Sequence, residues 1–423
     1  MMKSSGKHCH SPLTSPNLTE MNLSALTTKP FRHYLIGNAI SLHGLWVQKI
    51  TIGWMAWEAT GSTAFLGWLA FLTYAPPLFF GPFFGVVVDR VNIRKAAMTT
   101  QSLFVLGALA LLVVHLIGVS GRVSLSAIAL YIGVVTSAQH PVRMAIAPRL
   151  AHSNQLSSVV VLLSLNFNIA RVIGPAIGGG LIANFGLTAA LWFTIIAFIP
   201  FVLILSTLRP RPNKAKTQTS MKAEFTEGLA YVMRSRFIRT ATLITGLYSL
   251  AGRGALEILP SLADGIFQRG AAGLGTLTAA AGIGALLAAA AQILLHGPEK
   301  GKMPKISIGA AIIGPLAVAW LGNFGQWEIV VFIVGFLGFS STLVGVGMQS
   351  AIQMQVEDHL RGRVMSLWIM VAMGGTAFGS LLLGGMADAL GLALALQIAG
   401  ISTAIAVLLL LFARRIGQIR ESR

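Results

Sequence analysis

Charged residues and cysteine are both rare in this sequence. Only 10 % of its 423 residues are Asp, Glu, Lys or Arg, whereas soluble proteins carry about 25 %. The single cysteine, Cys9, excludes a disulfide framework and a cysteine-based metal site. No GxxxxGK(S/T), HExxH or GxSxG motif is present, which argues against ATP hydrolysis by the chain and against the common hydrolase centres. His8 and His10 flank Cys9, but a small cluster in a polar tail does not by itself predict a metal site.

Apolar residues are abundant instead, at 55 % of the chain. A helix needs about 20 apolar residues to cross a bilayer. By this criterion the sequence predicts an all-α membrane protein with twelve transmembrane helices. The predicted helices lie near residues 34–57, 64–88, 97–118, 123–142, 156–184, 188–207, 238–260, 272–295, 305–322, 328–350, 362–387 and 390–413.

The distribution of basic residues predicts the orientation. The net charge of +18 would suggest a nucleic-acid partner in a soluble protein. Here most Lys and Arg residues lie in segments that alternate helices would place on one side, and only Arg122 and Arg269 lie on the other. Such segments are cytoplasmic in inner-membrane proteins. We therefore expect a multi-pass protein of the bacterial inner membrane with both termini in the cytoplasm and no nucleic-acid partner.

The chain also repeats itself. Ala145–Leu191 and Ala351–Leu396 align at an offset of about 205 residues, each with a Gly-rich helix, a short turn and an apolar helix. This repeat predicts two pseudo-symmetric six-helix halves. The predicted units are a disordered cytoplasmic tail, a first half, a cytoplasmic linker with a short amphipathic helix near Ala223–Met233, a second half and a cytoplasmic tail, at 1–30, 31–208, 209–236, 237–413 and 414–423. Met21 is an alternative start.

One charge interrupts the long apolar run Leu156–Phe185. This residue is Arg171, and an arginine at the centre of a membrane helix costs about 2.5–3.5 kcal/mol. We therefore expect Arg171 to face a watery cavity, where it could bind an anionic group of a substrate. The alternative is a structural role, in which a fixed acid or backbone carbonyls hold the guanidinium.

The seventh predicted helix carries Arg253 and Glu257 at a spacing of four residues. Glu257 is the carboxylate expected in mid-membrane, and a proton that binds to and leaves this pair would be a coupling device. The alternative is a pair whose members only stabilise each other. Together, Lys49, Arg171 and Arg253 exceed the negative charge of Glu257, which favours an anionic substrate. The further binding candidates are Gln48, Asn168, Gln349, Gln353 and Trp46.

The turn after the second predicted helix reads Gly85-Val-Val-Val-Asp89-Arg90-Val-Asn-Ile-Arg94-Lys95. It resembles the loop signature of the major facilitator superfamily. The segments SLHGLWVQK, WEATGS, ARVIGPAIGG and RGRV resemble the subgroup that includes the enterobactin exporters. The resemblance covers residues 30–413 and implies that Asp89 and Arg90 form a contact that changes during the transport cycle.

The same resemblance assigns a role to the segment that follows Arg171. Gly174, Pro175, Gly178 and Gly179 resemble a motif that is associated with antiporters. The sequence departs from the subgroup in its first predicted helix, where Leu45 replaces an expected acid and Lys49 an expected neutral residue. Proton coupling through an acid of that helix is therefore not expected.

These observations predict a secondary active transporter and argue against an enzyme. The favoured function is proton-coupled export of an anionic polar organic molecule such as a siderophore. The alternatives are a multidrug/proton antiporter and a lysophospholipid carrier. We expect a monomer without cofactor or metal, whose partners are a small-molecule substrate, protons and membrane lipids.

Overall fold

The structure is a computed structural model that describes residues 23–212, 221–294, 302–323, 325–357 and 360–421. The described part is helical and contains no strand. The helices are α1 (Lys29–Thr60), α2 (Thr63–Arg90), α3 (Ile93–Leu116), α4 (Arg122–Ile146), α5 (Leu156–Thr207), α6 (Met221–Arg234), α7 (Arg236–Tyr248), α8 (Gly270–Leu294), α9 (Lys305–Leu321), α10 (Trp327–Gln355), α11 (Arg361–Leu390) and α12 (Leu392–Glu421).

Single glycines reverse the chain at two equivalent places. Within α5, Gly186 has φ 81° and ψ 171°, so α5 contains two helical arms that cross in succession. Gly391, with φ 86°, separates α11 from α12. Both dihedrals lie where residues with a side chain are strained. Because α5 contributes two crossings and α6 belongs to the linker, the described helices give the predicted twelve crossings. The fold class is thus confirmed, and the two reversals share the offset of the sequence repeat.

Helix α7 is the irregular crossing. It continues beyond Tyr248 into a π-helical turn, Ser249–Arg253, and a second π-helical turn follows at Ser261–Ile266. Between them, the backbone N–H groups of Leu256 and Glu257 donate to carbonyls only three residues earlier, at Arg253 and Gly254. The helix is therefore interrupted at Glu257. Discontinuous helices in transporters occur where the backbone lines a binding site.

The bundle has two ends, which we name by their connections. The linker end carries α6 and the starts of α1, α7 and α11. The short-loop end carries the brief connections between α1 and α2, at Gly186, and between α11 and α12. The halves contact each other through α2 on α11 and through α5 on α8.

The tail and linker differ in detail from the prediction. Most of the tail lies outside the described residues, but Ser24–Thr27 form a 3₁₀ turn where disorder was expected. The turn is ordered because Ala25 N–H donates to Ser158 Oγ at 3.0 Å and Thr28 Oγ1 donates to Gln155 Oε1 at 2.8 Å. Within the linker, α6 (Met221–Arg234) covers the amphipathic helix predicted near Ala223–Met233.

Candidate functional site

Three side chains meet in the middle of the bundle across the boundary between the halves. Lys49 Nζ of α1 lies 2.9 Å from Glu257 Oε1 and donates to the Tyr74 hydroxyl of α2 at 3.0 Å. The same hydroxyl donates to Glu257 Oε1 at 3.0 Å. We call these three residues the charged triad. It joins two regular helices of the first half to the interrupted helix of the second half.

The triad corrects the predicted pairing of Glu257 with Arg253. Among the described residues, Arg253 makes no ion pair with Glu257. Its Nε donates instead to Ser341 Oγ of α10 at 3.3 Å. A β-carbon at Gly345 would lie 2.5 Å from Arg253 Nη2, so this glycine leaves room for the guanidinium. The prediction assumed an unbroken helix, whereas α7 is interrupted between the two residues and its side chains point to different partners.

Arg171 on α5 lies near Arg253 but has no acidic partner. Within the described part of the chain, its side chain makes no hydrogen bond and no ion pair. The positive charge of Arg253 is close enough to repel that of Arg171, and the Tyr74 and Tyr248 hydroxyls are also within electrostatic reach. Two half-buried guanidinium groups, one from each half, therefore repel each other, and neither makes an ion pair with a carboxylate among the described residues. An anion between them would relieve their repulsion.

Aromatic side chains border the triad on the side of α5. Lys49 Nζ lies 5.5 Å from the centroid of the Trp46 ring, which is a cation–π distance. The Trp46 ring lies 6.0 Å from that of Phe167. The buried Trp46 Nε1 has no hydrogen-bond partner among the described residues. A polar ligand that reached this nitrogen would satisfy it.

The predicted polar candidates lie in different environments. Gln48 is 2 % exposed, and its amide atoms have no hydrogen-bond partner in the described structure. Asn168 donates from Nδ2 to the Ser164 carbonyl of its own helix at 2.8 Å. Gln349 and Gln353 are half-buried on α10, four and eight residues after Gly345. The two glutamines of α10 thus share the helix face that holds Arg253, whereas Gln48 is enclosed within the protein.

The Gly-Pro segment of α5 packs against two helices at once. Gly174 and Gly178 pack against α1. A β-carbon at Gly174 would lie 2.5 Å from Trp46 Cβ, and one at Gly178 would lie 3.3 Å from Ile50 Cβ. Gly179 packs against α8 of the other half. A β-carbon at Gly179 would lie 2.7 Å from the Ala271 carbonyl oxygen.

The Pro175 carbonyl also faces α8. A β-carbon at Gly275 would lie 3.0 Å from its oxygen, so Gly275 lets the two backbones approach. The four predicted residues Gly174, Pro175, Gly178 and Gly179 therefore place α5 in contact with both halves.

The predicted loop after α2 is only partly described. The side chain of Asp89 lies outside the described part of the structure. Gly85 borders open space, and Arg90 is exposed. Arg94 Nη1 donates to the Ser206 carbonyl at 3.3 Å, within the first half. Arg94 thus anchors the start of α3 to the end of α5, as expected for a basic residue near carbonyls that a helix leaves unpaired.

Two acids that were not predicted as site residues join the halves at the short-loop end. Asp388 of α11 accepts from Ser62 Oγ at 2.6 Å and from Thr63 N–H at 2.8 Å, at the start of α2. Asp264 accepts from Trp57 Nε1 at 2.8 Å. We call these contacts the short-loop latch. In the sequence each aspartate lies just past the end of a predicted helix, and this local position does not identify a partner 325 residues away.

The latch bears on access to the triad. The side chain of Lys49 is 36 % exposed and that of Glu257 is 11 % exposed, although they face each other across the halves. The latch and the contact of α5 with α8 close the short-loop side. The described contacts thus join the halves on the short-loop side of Lys49, whose own side chain stays partly exposed.

The described residues contain no group of three or more His, Cys, Asp or Glu side chains that could hold a metal ion.

Comparison with known proteins assigns the family. Residues 20–421 match the family model described as transmembrane secretion effector. The chain is 27 % identical over 376 residues to the enterobactin exporter EntS of Escherichia coli O1:K1, covering 86 % of this chain and 87 % of that protein.

Two solved transporter structures share the fold. A mutant of the nucleoside transporter NupG has a TM-score of 0.71 at 12 % identity, covering 92 % of this chain and 99 % of that one. An inward-facing, unoccupied bacterial homologue of the lysosomal transporter Spinster has a TM-score of 0.64 at 14 % identity, covering 91 % and 96 %.

Proposed function

Because the chain belongs to the transmembrane secretion effector family of the major facilitator superfamily of transporters, we propose that it exports an anionic polar organic molecule in exchange for protons. A siderophore is one such molecule, and the similarity to an enterobactin exporter supports export over import. The proposal has three parts, namely the substrate charge, the proton-coupling residue and the direction of access.

The mutual repulsion of two arginines supports the substrate part of the proposal. Arg171 and Arg253 come from opposite halves, repel each other and lack a carboxylate partner among the described residues. Lys49, by contrast, is already neutralised by Glu257. The guanidinium groups therefore attract an anion, and a carboxylate or catecholate can accept two hydrogen bonds from each. An apolar cation would increase the repulsion, which disfavours a multidrug substrate.

The charged triad supports Glu257 as the proton-coupling residue. Protonation of Glu257 would remove its ion pair with Lys49. The hydrogen bond between Tyr74 and Glu257 would then join the halves in the middle of the bundle without a carboxylate charge. Such a contact differs between two states of the protein and so biases their populations.

The third part concerns access and orientation. We infer that the exposed surface of Lys49 faces the linker end, because the described contacts between the halves lie at the short-loop end. The concentration of Lys and Arg in segments at the linker end supports a cytoplasmic location for that end. The substrate would then enter from the cytoplasm and leave after the short-loop latch has opened. A reporter fused at the linker should respond as cytoplasmic, and a periplasmic signal would contradict this orientation.

The substrate proposal is tested by anion binding to purified arginine variants. Arg171→Ala should weaken binding of a carboxylate or catecholate siderophore about 100-fold, because charge-assisted hydrogen bonds contribute about 1.5–3 kcal/mol each. Arg171→Lys keeps the charge but loses the paired donors, so it should bind with intermediate affinity. Arg122→Ala removes an exposed arginine at the short-loop end and is the matched control.

Thermal stability separates the binding role from a structural one. Since Arg171 has no ion pair or hydrogen bond in the described structure, Arg171→Ala should melt at or above the wild-type temperature without substrate. Retained anion binding in this variant would contradict the proposal, and so would a large loss of stability in the absence of substrate.

A further inference from the structure

Helix α6 presents three different faces when its residues are placed 100° apart. One face is buried on α11 and includes Gly228 and Val232, the latter 7 % exposed. It is fixed there by an ion pair between Glu227 and Arg363. The next face is apolar but exposed and consists of Phe225, Leu229 and Met233, which are 43 %, 42 % and 53 % exposed. We call these three residues the α6 stripe.

The remaining face of α6 is exposed and carries small or polar residues. Thr226, Ala230 and Arg234 lie there, in order along the helix. A helix at a protein–water boundary needs only a buried face and a polar face. The additional apolar face, between the two, is the arrangement of a helix that contacts protein, bilayer and water together.

The position of α6 places the stripe at the level of the bilayer surface. Only Ser235 separates α6 from α7, whose crossing begins at Arg236. On the other side, Gly228 packs against Arg363, two residues after α11 begins: a β-carbon at Gly228 would lie 3.0 Å from Arg363 Cβ. The helix is thus held where two crossings enter the apolar region of the membrane.

Charge indicates which lipids this surface fits. The segment 209–239 carries eight Lys or Arg residues and two Glu residues. Arg234 lies in the last turn of α6 and is exposed. A basic segment beside an apolar stripe is attracted to anionic headgroups.

We propose that α6 is a lipid-binding helix whose stripe of Phe225, Leu229 and Met233 inserts into the membrane surface while the exposed Arg234 of the same helix binds anionic headgroups. The helix would anchor the connection between the halves to the bilayer next to α7 and α11. This inference is independent of the transported substrate, and its test contains no transport measurement.

The insertion is tested with one fluorescent probe at a time. Because Cys9 is the only cysteine, the Cys9→Ser background accepts Leu229→Cys on the stripe or Ala230→Cys on the polar face, each labelled with bimane and reconstituted into vesicles. Phosphatidylcholine brominated near the headgroup should remove most of the emission of the Leu229 probe. Aqueous iodide should instead quench the Ala230 probe.

The charge part is tested by titrating phosphatidylglycerol into the solubilised protein while the Leu229 probe is followed. Arg234→Gln should lower the apparent affinity for this lipid about fivefold, the contribution expected of one basic residue at an anionic surface. Arg122→Gln, at the opposite end, should leave it unchanged. An equal loss in both variants would show general charge attraction and overturn the assignment to α6.

The quenching pattern also distinguishes the other possible occupant of the stripe. If neither brominated lipid nor iodide reaches the Leu229 probe, another part of the protein covers the stripe and the proposal is wrong. Equal quenching of both probes by brominated lipid would also overturn it, because the faces would not be distinguished.

Discussion

The boundary between the two halves is built differently at its short-loop end and at its centre. At the short-loop end, neutral donors such as Ser62 hold Asp388, and Gly179 brings α5 against α8. At the centre, one ion pair, Lys49 with Glu257, lies beside two arginines without an acidic partner among the described residues. The end is satisfied in its hydrogen bonds and packing, whereas the centre has an excess of positive charge.

This difference separates two tasks. Contacts that are complete without a ligand stabilise one conformation whether or not substrate is present. A centre with an excess of positive charge responds to any change in that charge, so its energy changes when an anion lowers the excess or a proton raises it. Four variants test this distinction, and they follow in order of decreasing expected effect.

The largest effect is expected from Glu257→Gln at the centre. It leaves the Lys49 ammonium without its carboxylate, which costs about 2 kcal/mol once the partial exposure of Lys49 reduces the penalty of a broken buried pair. The melting temperature should fall, and export should lose its dependence on the pH gradient. Glu58→Gln, an exposed acid at the short-loop end, is the control. Export with normal pH dependence would move proton coupling to another acid or to a histidine.

Gly179→Ala should disturb the packed end by nearly as much. The new β-carbon would lie 2.7 Å from both the Ala271 carbonyl oxygen and Gly275 Cα, and overpacking of this kind costs about 1–3 kcal/mol. The population open at the short-loop end should rise. Gly180→Ala is the neighbouring control, because a β-carbon there has nothing within 4 Å.

The opening is measured by thiol labelling of Gly53→Cys in the Cys9→Ser background. A β-carbon at Gly53 fits between the halves, 3.7 Å from Pro260 Cγ. A membrane-impermeant maleimide added on the short-loop side should label it faster in Gly179→Ala than in Gly180→Ala. Equal rates would mean that the contact between α5 and α8 does not control that end.

Asp388→Asn should have a smaller effect on the same labelling. Its hydrogen bonds from Ser62 and Thr63 change from charge-assisted to neutral, a loss of about 1 kcal/mol, or fivefold in the open population. Glu328→Gln alters an exposed acid at the start of α10 on the same side and should leave labelling unchanged. If the two variants label alike, Asp388 contributes nothing to closure.

Tyr74→Phe should have the smallest effect. It removes the hydroxyl that bridges Lys49 and Glu257 but leaves their ion pair, so the free energy of unfolding should fall by about 0.5–1 kcal/mol. In the Glu257→Gln background the same change should cost measurably less, since residues in one network are coupled. Additive effects in this double-mutant cycle would show that Tyr74 is not part of the triad.

The sequence was sufficient to predict the transmembrane helices, because the length of an apolar segment is a local property of the chain. Predicted helix 5 began at residue 156, where α5 begins, and the repeat anticipated the shared reversals at Gly186 and Gly391. It was not sufficient for the pairing of charges. A spacing of four residues suggested Arg253 for Glu257, but tight three-residue turns interrupt the helix between them, and Lys49 lies 208 residues away.

Other parts of the site were missed for the same reason. Tyr74 gave one local signal, a hydroxyl in mid-membrane that needs a partner, but the partner could not be read from the chain. The roles predicted for Asn168, Gln349 and Gln353 in substrate binding remain predictions, as does the part of Asp89 in the transport cycle.

The contact between α5 and α8 finally determines what a spectroscopist would see. At the short-loop end its surfaces include Gly179, Gly275 and Ala271, which have no rotamers to rearrange when the helices part. Separation of this kind moves whole halves as rigid bodies. Spin labels placed on the two halves should therefore give two narrow distance populations rather than one broad distribution, and their relative areas would report the equilibrium directly.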